Sequence, residues 1–73
     1  MGKLKVLSGK EVCEILQKHG FRNVRQQGSH VIMQKKTETS TLTIPAPNHK
    51  EIKRGTLKSI IRQSRLSSEE FES

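Results

Sequence analysis

Gly28-Ser29-His30-Val31-Ile32-Met33-Gln34-Lys35-Lys36 is the stretch that decides the fold. A glycine-led turn opens it, and a β-prone run with Val31, Ile32 and Met33 at its centre follows. Strand alternation sets Val31 and Met33 on one side, and His30 with Ile32 on the other. If Val31 and Met33 face the core, His30 faces the open side of the sheet. Downstream, Thr37 to Ser40 is a polar turn and Thr41-Leu42-Thr43-Ile44 alternates cleanly. Pro45 and Pro47 are expected to end that strand, because neither can donate to a ladder. Upstream, Phe21 to Gln27 is short and partly alternating. Three strands with short links read as an antiparallel meander.

Helical signals flank the meander. Ser8-Gly9-Lys10-Glu11 fits a capping box, in which serine oxygen and glutamate carboxylate satisfy each other's backbone N–H groups. Val12, Ile15, Leu16 and His19 follow at the spacing of one helical face, and Gly20 sits where a left-handed glycine closes a helix. A helix over 8–19 results. After the meander, Lys50 to Gly55 is a basic approach to a second helix with Leu57, Ile60 and Ile61 as its apolar stripe. Ser67-Ser68-Glu69-Glu70 reads as another capping box, opening a turn of helix around Phe71. The order is α-β-β-β-α, an α+β class, with both helices expected on one face of the sheet. Val12, Ile15, Leu16, Leu57, Ile60 and Ile61 are the expected core, in one domain spanning 1–73.

Composition narrows the function. Leu, Ile, Val and Phe number eighteen of 73 residues, about a quarter and above the ~20% at which charged chains stay unfolded. No stretch approaches the ~20 apolar residues of a membrane span. No secretory signal is read, and Val6 stands where a myristoylation motif needs Ser or Thr, so a cytoplasmic protein is expected. The single Cys13 builds no internal disulfide and no CxxC site, and reads as a small buried hydrophobe. Fourteen Lys and Arg against seven Glu, with no Asp, give a net charge of +7. That balance suits a nucleic acid or another polyanion, or simply a solvated basic surface. Two Phe and no Tyr or Trp leave no platform for stacking bases. Phosphate contact and shape reading, as in double-stranded-RNA-binding folds, fit better, and those folds share this element order.

Zinc spacing, HExxH, GxSxG and a phosphate-binding glycine loop are all absent, so no metal or other cofactor is expected. Histidine is left for acid–base work. His19, at the end of a helix, reads as structural. His49 follows Pro-Ala-Pro-Asn in a loop and is a candidate second acid or base, with solvation the commoner fate of such a residue. His30 on strand logic is equally a functional group or a solvated one. Lys50, Lys53, Arg54, Lys58, Arg62 and Arg65 crowd the second helix with Glu51 as their only acid. A phosphate-binding face and a solvated face both remain open there.

Gly28-Ser29-His30, then Pro45-x-Pro-Asn-His49, then Lys53-Arg54-Gly55-Thr56-Leu57-Lys58-Ser59-Ile60-Ile61-Arg62-Gln63 together resemble the HicA-type toxins of prokaryotic toxin–antitoxin pairs. The resemblance covers nearly the whole chain. It implies a small double-stranded-RNA-binding-like domain that cleaves mRNA without a metal and is inhibited by a HicB-type antitoxin. It implies His30 as the catalytic base. Ser29 and, from the basic group around the second helix, Lys53, Arg54 and Lys58 are the expected RNA contacts. Many members carry a second histidine directly after the first; here Val31 stands in that place. A non-catalytic RNA-binding module, and a basic protein with an acidic protein partner, are the alternative readings.

Overall fold

The computed structural model describes residues 6–71, so the lipidation reading of the first residues concerns a stretch mostly outside it. The elements run α1 (Gly9–Lys18), β1 (Arg22–Gln27), β2 (His30–Lys36), β3 (Thr41–Pro47) and α2 (Arg54–Ser64), then a 3-10 turn (Ser68–Phe71). The sheet is antiparallel in the order β1-β2-β3. This is the expected α+β architecture.

The capping box forms as expected: the Glu11 amide donates to Ser8 Oγ at 3.1 Å and the Ser8 amide to Glu11 Oε1 at 3.0 Å. At its other end α1 closes in a Schellman motif. Gly20, at φ +93°, donates to the Gln17 carbonyl, and the Phe21 amide donates to that of Leu16. The reversal drops Phe21 into the core beside Leu16 instead of into β1. Gly28 (φ 55°) leads the two-residue turn that pairs Gln27 with His30, a position where a side chain would be strained.

Both helices cover one face of the sheet. Val12 and Leu16 of α1 and Leu57, Ile60 and Ile61 of α2 meet Met33 and Ile44 in one cluster with Leu7, Phe21, Ile52 and Phe71. Ile15 and Cys13 are half-buried and pack against it. Burying these side chains contributes roughly 1.5–3 kcal/mol apiece, which offsets chain entropy that no disulfide reduces here.

Three expectations need correction. Pro45 does not end β3 but lies within it, opposite Ile32, and the strand runs on to Pro47, its last residue, opposite His30. β3 is an edge strand, and residues of like parity turn their nitrogens the same way, outward, where no ladder bond is lost. Glu70 does not reach back to Ser67 as a cap. Its carboxylate lies 2.9 Å from His19 Nε2, and the 3-10 turn is closed by the Glu70 amide donating to the Ser67 carbonyl. β1 also fails to alternate evenly: its register shifts between Asn23 and Arg25, which leaves Val24 as a bulge.

Candidate nucleic-acid interface

His30 begins β2 directly after the Gly28-Ser29 turn and is exposed, while Met33 is fully buried. Val31 is half-buried and packs against the core. His30 therefore lies on the opposite side of β2 from Val31 and Met33, as alternation requires, at the strand's first position. Its pairing residue on β3, Pro47, is buried and leads straight into the loop that carries His49.

Backbone hydrogen bonds fix that loop. The Asn48 amide donates to the Ser29 carbonyl at 2.6 Å, which ties the loop to the turn beside His30. The Gly9 amide donates to the His49 carbonyl at 2.8 Å, and the Ile52 amide to that of Leu7 at 2.8 Å. Three chain segments thus converge on the carboxyl end of β3. Between them lies a cleft of about 340 Å³, lined by His30, Pro47 and His49 together with Glu51, Ile52, Lys53 and Thr56.

Sequence reasoning named His30, His49 and Lys53 from separate stretches, and the fold brings all three to this cleft. Lys53 is the N-cap of α2, whose first turn holds no acid and receives no side-chain cap among the described residues. The helix dipole and the Lys53 ammonium both favour an anion there. Arg54 and Lys58 are exposed on α2 but lie outside the cleft lining, and Ser29 contributes its carbonyl to Asn48. Glu51 and Thr56 line the cleft and had not been singled out as site residues. Thr56 sits in the first turn of α2, three residues after Lys53, a spacing that the sequence does display. Glu51 is the one acid among the cleft's described residues.

Away from the cleft, His19 caps the carboxyl end of α1 against Glu70, in the structural role expected of it. Cys13 is half-buried, and burial pushes its thiol pKa up. Among the described residues no three His, Cys, Asp or Glu side chains gather as metal ligands. No helix among them is long and apolar enough to cross a membrane.

A search of curated proteins finds no match to the chain. Residues 9–66 match the family model described as the HicA toxin of bacterial toxin–antitoxin systems, a span that holds both α-helices, all three strands and every cleft residue. The chain belongs to the HicA toxin family, and so is the toxin half of a toxin–antitoxin pair.

Proposed function

We propose that this toxin is an endoribonuclease that cuts mRNA in the cleft between the β1–β2 turn and the start of α2, and that a HicB-type antitoxin restrains it. The observation that carries the reading is the meeting of His30, His49 and Lys53 in one cleft of a +7 domain. RNA carries its own nucleophile, so the reaction needs no metal. The neutral imidazole of His30 takes the proton of the 2′-OH. O2′ then attacks the adjacent phosphorus, the bond to O5′ breaks, and a 2′,3′-cyclic phosphate forms. A protonated His49 gives its proton to the departing O5′. The Lys53 ammonium stabilises the charge that gathers on the non-bridging oxygens.

Val31 explains how the chain manages without a histidine pair in sequence. Its side chain packs against the core, on the far side of the strand from His30. His49 reaches the cleft from the neighbouring loop and takes the part of a second histidine in this reading. Ser29, Arg54 and Lys58 are proposed to extend RNA contact along the turn and α2.

The test compares His30→Ala and His49→Ala in one cleavage assay. His30→Ala should abolish cleavage while RNA binding and the fold persist, since an exposed side chain contributes little to packing. RNA methylated at the 2′-oxygen of the cut site should resist the unaltered toxin. Full cleavage by both variants would take both histidines out of the chemistry, and binding without cleavage by the unaltered toxin would return the protein to an RNA-binding module.

A further inference from the structure

The sheet face that the helices leave uncovered carries a second hollow, at the opposite end of β2 from His30. It measures about 310 Å³ and is lined by Gly20, Arg22, Val24, Gln34 and Lys36. Gln34 lies four residues along the strand from His30, which at the rise of a β-strand is about 13 Å. The two sites share no lining residue.

Three observations describe what this hollow would accept. Arg22 and Lys36 supply two cations, Arg25 stands next to the Val24 bulge, and among the described residues no carboxylate lines the hollow. Val24 is 48% exposed, one of two large apolar side chains so placed among the described residues. The hollow also adjoins β1, an edge strand exposed along its whole length and free of proline, whose outward backbone groups can pair with another strand. The opposite edge, β3, carries Pro45 and Pro47 instead.

We propose that this face is a docking seat for an acidic, extended segment of the antitoxin, lying beside β1 with an apolar side chain against Val24. The proposal rests on family membership and not on the cleavage chemistry. Charge complementarity selects an acidic partner, and the free strand edge selects a polypeptide. A nucleic-acid backbone would have no use for Val24, and the hollow offers no aromatic ring for a base. A second copy of this chain is disfavoured, because pairing β1 with β1 would crowd the arginines of both copies onto one face. An antitoxin held here gains a grip that leaves the catalytic cleft free for its remaining surface.

The test measures binding of the purified cognate antitoxin to the toxin carrying Arg22→Glu and Lys36→Glu. The control carries Lys10→Glu and Lys18→Glu on exposed positions of α1, which changes net charge by the same amount. The hollow variant should lose about tenfold or more in antitoxin affinity relative to the control, while its affinity for RNA matches the control's. Val24→Asp should weaken the complex in the same way, with circular dichroism confirming that each variant is folded. Equal antitoxin affinities for the hollow variant and the control would overturn the proposal, and so would a loss confined to RNA binding. Failure of His30→Ala to stop cleavage would leave this proposal untouched.

Discussion

Gly9 and His49 are joined through their backbones: the Gly9 amide donates to the His49 carbonyl at 2.8 Å, so the first residue of α1 holds the loop that presents a cleft histidine. The contact is close enough to exclude any side chain. A Cβ on Gly9 would collide with the Pro47 carbonyl oxygen and lie 2.9 Å from the Asn48 Cα.

Gly9→Ala should therefore push α1 from the end of β3 and lose about 1–3 kcal/mol, the usual cost of overpacking. Thermal unfolding should show a midpoint lower by roughly 4–8 °C per kcal/mol in a domain of this size. Gly55→Ala is the comparison. A Cβ there meets nothing within 4 Å, so that variant should match or exceed the parent. Equal midpoints for the two variants would contradict the close approach.

Leu16 is fully buried and also accepts the amide of Phe21 at the end of α1. Leu16→Ala should cost about 2–5 kcal/mol, a large part of what so small a core supplies. Urea unfolding read by circular dichroism measures it. A loss below about half a kcal/mol, the level of surface substitutions, would mean that the site collapses without harm.

Lys53 is the cation at the cleft, and each phosphate neutralised on a single strand contributes about −0.7 to the slope of log affinity against log salt. Lys53→Ala should flatten that slope by about this amount and weaken unrelated RNAs alike. An unchanged slope would place the strand elsewhere.

Cys13 is held in its neutral form by burial, which raises its pKa from the usual 9.0. Alkylation of the native protein at pH 8 should be slower than in urea, where the thiol regains its ordinary pKa. The linkage runs the same way: the neutral thiol's contribution to stability is complete below the unfolded pKa and is lost as pH rises through the folded value. Native and unfolded rates that coincide would show the thiol to be free of its surroundings.

The elements were legible because local signals agreed with tertiary need. The Ser8–Glu11 box, the Gly20 closure and the Gly28-Ser29 turn each mark a boundary, and each is where the structure puts it. The side that His30 faces followed from the burial of Met33. Pro45 misled because a proline's effect depends on whether its nitrogen faces a neighbouring strand, and strand order is not a local property. Glu70 misled for a related reason: His19 lies 51 residues away in sequence and competes for the same carboxylate. Glu51 joined the cleft through loop geometry, for which no pattern of residue types existed to be read, whereas Thr56 stood at a readable spacing, three residues after Lys53.

The two prolines of β3 have a consequence for assembly. A sheet that gained strands on both sides could grow without limit, and a very basic toxin accumulating in excess of its partner would be exposed to that fate. Proline at two alternate positions of one border removes the donors that a newcomer would need there. Strand pairing is then left to the β1 border. Strand-by-strand growth through repeated copies, which needs two open borders, is thereby blocked.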